Sequence, residues 1–392
     1  TALQRYLQLG YLTDHPTLIR PIASVPRYSP TDHATREPVE DAMTQGVTEC
    51  LHDSTPNCCL LSGGMDSSLV AAIAKKENGD LQTIHVRMDD PQRDESHTAQ
   101  AVADHLGTRH VTLDIEPHPA DDLRDLVSML GKPFADSSVL ATYWICRAAG
   151  KATRFALSGI GGKEVFFGHE RYRRAAVMAR WHGLLATVLG RNAPGSWSRA
   201  TDWSTLGVAA LSSIFDNAEI KSMTAADFLD PVLPHPHEHP TIQAQRFDME
   251  HLLPGAALPH IDACAAAAEL DIRSPFLLLR LRQSLAESRM PPKDRRKLLR
   301  DMAQRFLPAT LLDRPSVNTA LPVSAWFRSD HGGIGQLLGD ELTSPDAFGD
   351  MQINTEIVMR LLDEHRRGDR DHGDRLFALL TLAMWQRQAS SQ

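Results

Sequence analysis

Asn57-Cys58-Cys59-Leu60-Leu61-Ser62-Gly63-Gly64-Met65-Asp66-Ser67-Ser68 is the stretch on which the fold turns. Asn57–Leu61 reads as a short apolar strand, Gly63-Gly64 as a turn and Ser67–Lys75 as a helix. A strand, a glycine turn and a helix in that order make an anion cradle. The two glycines let the backbone take positive φ and approach a ligand closely. Free N–H groups at the helix start, with the hydroxyls of Ser62, Ser67 and Ser68, can donate to a phosphate. Asp66 suits Mg²⁺, which takes carboxylate and phosphate oxygens together. The plainer alternative is a Gly-Gly turn with a Ser/Asp helix cap. The loop lacks a Gly-Lys-Ser/Thr ending, so an NTPase that cleaves the γ-phosphate is the weaker reading.

Working outward, Val39–Leu51 reads as an amphipathic helix, with Val39, Met43, Val47 and Leu51 four apart. Downstream come a strand at Leu81–Val86, a helix at Ser96–Leu106, a strand at His110–Ile115, helices at Asp121–Leu130 and Val139–Ala149, and a strand at Arg154–Ser158. Strands alternating with helices predict a parallel sheet covered on both faces. Beyond Tyr172 the strand signal fades. Ala256–Leu270, Phe276–Ser288, Arg295–Phe306 and Thr355–His365 read as helices, with loops at Arg191–Ser198 and Pro231–Pro240. The expected fold class is therefore α/β, a parallel sheet flanked by helices over about 39–175 that continues into a mostly helical half over about 176–392. Residues 1–38 form a Pro-rich extension, in which Tyr6, Leu7, Leu9, Tyr11 and Leu12 can make a short docking helix.

The chain of 392 residues is long enough to bury a sizeable core. Its 41 basic and 49 acidic residues leave a net charge of −8, which argues against a general nucleic-acid grip. Cys50, Cys58, Cys59, Cys146 and Cys264 are odd in number and show no zinc spacing, as expected of reduced thiols in a cytoplasmic protein. No leader pattern or apolar run of membrane-spanning length is evident, so neither secretion nor a membrane partner is expected.

Ser62-Gly63-Gly64-Met65-Asp66-Ser67 resembles the SGGxDS pyrophosphate loop of the N-type ATP pyrophosphatases, whose fold is adenine nucleotide alpha hydrolase-like. An ordered series of further motifs resembles the asparagine synthetase C-terminal (synthetase) domain family, which includes the β-lactam synthetases and lasso-peptide cyclases. These are Asp94-Glu95 before a helix, Pro133-Phe134-Ala135-Asp136-Ser137-Ser138, and Leu157-Ser158-Gly159-Ile160-Gly161-Gly162-Lys163-Glu164-Val165-Phe166. Asp248, Asp262, Arg273-Ser274-Pro275-Phe276, Lys297-Leu298-Leu299-Arg300 and Arg314-Pro315 continue the order, and Gly10–Tyr28 resembles the end of the family's N-terminal domain. The resemblance implies ATP and Mg²⁺ as cofactors and an acyl carboxylate as substrate. It implies transfer of AMP to that carboxylate, release of pyrophosphate, and displacement of AMP by an amine or ammonia. It places Ser62, Gly63, Gly64, Asp66, Ser67, Ser68, Gly159 and Gly161 at the nucleotide, Asp66 at the metal, and Asp136, Ser137 and Ile160 at the substrate.

Three departures from the family pattern bear on the chemistry. The chain starts Thr1-Ala2 and has no cysteine before Cys50, so no glutaminase activity is expected within it and a protein partner is a candidate source of ammonia or substrate. Lys163 stands where relatives carry a metal-binding aspartate, and Ile160 where they carry a glutamate or tyrosine of the base machinery. A cation cannot ligate a cation, so either Asp66 holds the metal largely alone or Lys163 supplies charge in its place. Ser316 stands at a usual lysine, leaving Lys163, Lys297 and Arg314 as the cationic candidates for catalysis. Lys297 also reads as a plain solvated charge. The resulting expectation is an ATP-dependent, AMP-forming amide ligase of specialised metabolism. The rival is a nucleotide-binding, non-catalytic partner subunit; a tRNA-thiolating enzyme is disfavoured by the acidic charge. His235-Pro236-His237-Glu238-His239 reads as an exposed loop rather than a metal site, and Arg171-Tyr172-Arg173-Arg174 as a solvated helix face.

Overall fold

The computed structural model describes residues 2–12, 38–51, 57–88, 90, 94–177, 214–224, 239–313 and 321–390. Its centre is a five-stranded, all-parallel sheet in the order β3-β2-β1-β4-β5. The strands are β1 (Cys58–Leu60), β2 (Gln82–Arg87), β3 (Arg109–Asp114), β4 (Phe155–Leu157) and β5 (Asp271–Arg273). Cys59 sits in register with Thr83 of β2 on one side and Leu157 of β4 on the other. Alternation splits the β1 side chains. Cys58 packs with Ile84, Val86, Ile145 and Ala148, whereas Cys59 and Leu61 face the opposite core. All five cysteines are free and buried.

Helices cover both faces. They are α1 (Ala2–Leu9), α2 (Val39–Cys50), α3 (Met65–Asn78), α4 (Ser96–Leu106), α5 (Pro119–Leu130), α6 (Ser138–Ala152) and α7 (Gly162–Val165). Local signals set their ends. Helices α3, α4 and α5 stop at Gly79, Gly107 and Gly131, each with positive φ. Asp122 accepts from the His118 backbone N–H at 2.8 Å, from Trp144 Nε1 at 2.7 Å and from Arg147 at 2.6 Å, which joins α5 to α6. Helix α1 docks as its apolar spacing predicts. Tyr6 Oη donates to the Ala378 carbonyl at 2.8 Å and lies 2.9 Å from Thr381 Oγ1.

The second half supplies α8 (Asn217–Thr224), α9 (Pro240–Phe247), a π-helical stretch (Asp248–Ala257), α10 (Leu258–Ala267), α11 (Leu279–Ser288), α12 (Pro292–Gln304), α13 (Ala309–Leu312), α14 (Val323–Ser329), α15 (Ile334–Leu342), α16 (Thr355–Arg367) and α17 (Gly373–Ser390). The half is mostly helical, as expected, and one short strand within it, Asp271–Arg273, pairs with Phe155–Leu157 and extends the sheet. One expectation is corrected here. The helix expected over Ala256–Leu270 begins earlier, as α9, and widens around Pro254, which has no N–H to close an α turn. Residues 191–198 and 231–238 of the expected loops lie outside the described residues.

Candidate active site

Strand order reverses between β1 and β4, so the loops leaving their carboxyl ends diverge and open a crevice, the place where parallel α/β sheets take ligands. The loop after β1 is the Ser-Gly-Gly turn, and the loop after β4 is Ser158–Gly161. Gly63 has φ 79°, and a Cβ on it would lie 2.9 Å from the Ala99 nitrogen at the start of α4. Ser62 is exposed; its hydroxyl accepts from the Gly64 N–H at 3.2 Å and lies 3.0 Å from Ser67 Oγ. The second loop approaches the first without room for side chains. A Cβ on Gly159 would stand 2.6 Å from the Ser67 nitrogen, and one on Gly162 would stand 2.9 Å from Asp66 Cγ. Gly161 has φ 83° and abuts Leu277. The hydroxyls of Ser68 and Ser158, one in each loop region, are buried with no hydrogen-bond partner among the described residues.

Charge gathers where the loops meet. Asp66 is nearly buried, and Arg296 Nη1 of α12 lies 3.4 Å from its Oδ1. Burial is the largest influence on the Asp66 carboxyl and pushes its pKa above the usual range. Arg296 and Lys163 pull the other way, and Glu164 adds to the rise. Among the described residues no group of three or more His, Cys, Asp and Glu comes together as a metal cage. Mg²⁺ needs none, because one carboxylate with substrate phosphates and water suffices. The donor set therefore fits Mg·ATP: a glycine-lined backbone cradle, unpartnered hydroxyls, one buried carboxylate and two cations. Asp66, Ser62, Ser67 and the loop N–H groups would hold it.

The other expected site residues fall in distinct places. Asp136 is exposed, and its Oδ1 accepts from the Ser138 N–H at 2.9 Å at the start of α6. Ser137 is buried, with its Oγ accepting from the Leu321 N–H at 3.2 Å. The Ile160 side chain packs against the core while its carbonyl accepts from the Ser274 hydroxyl. Lys163 is half-buried on α7, whereas Lys297 is exposed on α12, and its predecessor Arg296 is the one that reaches Asp66. Arg314 and Ser316 lie outside the described residues. So do His235–Glu238; His239 begins α9, with its Nδ1 accepting from the Thr241 N–H at 3.3 Å.

Three features escaped sequence reading. Arg296 is one. The second is Glu164, whose Oε1 lies 2.7 Å from His169 Nε2. Burial works to raise its carboxyl pKa, but the His169 hydrogen bond and charge outweigh it and hold the group below the usual range. The third corrects the solvated-face reading of Arg171–Arg174. Tyr172 is buried, and both its hydroxyl and Arg171 donate to the buried Asp248. Arg173 and Arg174 do lie on the surface, beside Glu170. The basic cluster offered the only sequence signal, and nothing in it separates the inward arginine from the outward ones.

Comparison with known proteins was made against this geometry. Residues 38–387 match the family model described as asparagine synthase. A putative glutamine-hydrolysing asparagine synthetase of Mycobacterium bovis is 25% identical over 93% of this chain and 59% of its own length. Glutamine-hydrolysing asparagine synthetase 1 of Bacillus subtilis is 22% identical over 88% of this chain and 58% of its own. A carboxyethyl-arginine beta-lactam-synthase of Streptomyces clavuligerus is 44% identical over a shorter stretch, 20% of this chain and 14% of its own. The chain thus spans 59% of the length of the mycobacterial relative.

Proposed function

The chain belongs to the asparagine synthase family, and from that premise we propose that it is an ATP-dependent, AMP-forming amide ligase acting on a small-molecule or peptide carboxylate in specialised metabolism. One observation carries the reading: two glycine loops at the sheet's switch point close on a buried aspartate flanked by two cations. That arrangement suits a pyrophosphate leaving group. The carboxylate oxygen attacks the α-phosphorus, the bond to the β-phosphate oxygen breaks, and the loop N–H groups and hydroxyls receive the departing charge. Mg²⁺ bound at Asp66 supplies further neutralisation. Lys163 and Arg296 flank that carboxylate and place positive charge where the pyrophosphate leaves. An amine or ammonia then displaces AMP from the acyl adenylate. A partner protein is a candidate source of that nitrogen.

The test is product analysis with Mg·ATP, ammonium chloride and, in turn, L-aspartate, L-glutamate and N2-(2-carboxyethyl)-L-arginine. AMP and pyrophosphate are expected with at least one acid. Turnover to ADP and phosphate alone would overturn the mechanism. Ile160, packed against the core with no proton acceptor to offer, favours a second reading, a nucleotide-binding subunit that completes no reaction. That reading prevails if calorimetry shows ATP binding while no acid yields pyrophosphate.

A further inference from the structure

Helix α7 ends at Val165, and the chain reverses through Phe166, Phe167 and Gly168. Phe167 holds φ 55°, a left-handed conformation that is strained for an aromatic residue and persists only when its surroundings impose it. Here they do. The Phe167 ring meets Tyr172 edge-on at 6.1 Å, and the Arg295 guanidinium lies 5.7 Å from its centroid. The Gly168 N–H donates to the Lys163 carbonyl at 2.6 Å. A Cβ on Gly168 would stand 2.9 Å from Arg296 Nη1 and 3.1 Å from Lys163 Cα. The reversal is therefore pressed against the two cations that face Asp66, and it returns His169 onto Glu164 at 2.7 Å.

We propose that His169, held by Glu164, is the base that takes the proton from the amine as it displaces AMP. The inference rests on the ligase reading above. With Nε2–H donated to Glu164, the remaining nitrogen Nδ1 carries the lone pair. The His169 side chain is 27% exposed and that of Glu164 13%, so the ring reaches solvent while its carboxylate stays sheltered. The charged and titratable groups around the pair are Lys163 on α7, Arg171 and Tyr172 on the following helical turn, Asp248 in the π-helical stretch, Arg295 and Arg296 on α12, and Asp66 of the first loop. Of these, Lys163, Arg171, Arg295 and Arg296 are cations, and Tyr172 and Asp248 are bonded to one another. His169, just beyond the second loop and α7, is thus the proton acceptor at hand, because Ile160 has none to give and Asp66 is engaged by Arg296. In the step, His169 Nδ1 takes a proton from the bound ammonium or protonated amine, and the nitrogen so freed forms a bond to the acyl carbon as the acyl–oxygen bond to AMP breaks. AMP leaves with that electron pair, and the acylated nitrogen, now strongly acidic, sheds its excess proton to water. Glu164 balances the imidazolium until the proton reaches solvent.

His169→Gln keeps a hydrogen bond to Glu164 and removes the base. With the acid found active above, hydroxylamine, largely unprotonated at neutral pH, serves as one acceptor and ammonium chloride as the other. His169→Gln is expected to lose about a hundredfold in amide formation from ammonium at pH 7 and to stay within about threefold in hydroxamate formation. Glu164→Gln, which removes the carboxylate that holds and balances the imidazole, is expected to lose amide formation from ammonium while hydroxamate formation stays within about threefold. Equal losses with both acceptors, or loss of ATP binding in both variants by calorimetry, would make the pair a structural brace and overturn the proposal. So would unchanged rates. Absence of pyrophosphate with every acid removes the ligase reading itself, and this inference with it.

Discussion

Lys163 lies half-buried on α7, just after the second loop, and the first loop meets it with Asp66. A cation cannot join Asp66 as a metal ligand, so in the proposed reaction Lys163 acts by charge. Removing a fixed charge from a water-poor site that stabilises a leaving group costs on the order of 3 kcal/mol, about a hundredfold in rate. Lys163→Ala and Arg296→Ala are each expected to slow single-turnover pyrophosphate release by about that factor, whereas Lys297→Ala should change it less than about twofold. A Lys163→Ala enzyme as fast as wild type would place Lys163 outside the chemistry. Lys163→Asp restores a ligand, so its release rate should depend more steeply on Mg²⁺ in a titration. Lys163 was legible because it sits inside a motif of fixed spacing. Arg296 was not, because Arg295, Arg296 and Lys297 are three consecutive cations whose types do not tell them apart. Only the phase of α12, about 100° per residue, turns Arg296 toward Asp66 and leaves Lys297 in solvent.

The elements that carry the site are short, and their closeness is a function of glycine. The two loops pack backbone to backbone at Gly159, so Gly159→Ala must drive a methyl group into the Ser67 amide or part the loops. We expect that variant to lose at least about tenfold in ATP affinity by calorimetry and about 1–3 kcal/mol in urea unfolding. Gly107→Ala is the matched control. Its φ of 63° strains alanine by about 1 kcal/mol, but a Cβ there meets nothing within 4 Å, and ATP affinity should not move. Gly159→Ala protein that binds ATP as wild type does would mean that the loops are not held as closely as their backbones lie. The strand–turn–helix of the first loop was legible because apolar run, glycines and helix follow without interruption. Strand β5 was not: Asp271-Ile272-Arg273 is three residues long with charged ends, and only pairing with β4 makes it a strand. The inward turn of Tyr172 was equally hidden, because its partner Asp248 lies 76 residues away.

Across the whole molecule, the sheet separates two large apolar cores. One joins α2, α3, α4 and α12; the other joins α5, α6, α10 and the helices from α14 to α17. The second core encloses a histidine. His260 of α10 is 3% exposed and packs on Phe134 at 5.7 Å, which in turn meets Phe377 of α17 at 6.0 Å. Its Nε2 is buried with no hydrogen-bond partner among the described residues. Burial, assisted by the charge of Lys132, lowers its pKa to about 3. An unfolded histidine titrates near 6.5, so between about 3 and 6.5 the unfolded chain binds the extra proton. The contribution is therefore intact above about pH 6.5 and shrinks on acidification through that window, by about 1.4 kcal/mol per pH unit in its middle. Asp248 works in the opposite direction. Burial raises its carboxyl pKa to about 6, so its contribution is intact below the unfolded value of about 4 and lost as pH rises through 6. The two overlap, and the pH dependence of the wild-type protein alone cannot separate them. The difference between wild type and His260→Leu can, because Asp248 is common to both. Urea unfolding at pH 7.5, 5.5 and 4.5 should show the variant gaining on wild type by more than about 1 kcal/mol between the first and last. Parallel pH profiles would mean that His260 is protonated in the native core and must find an anionic partner there.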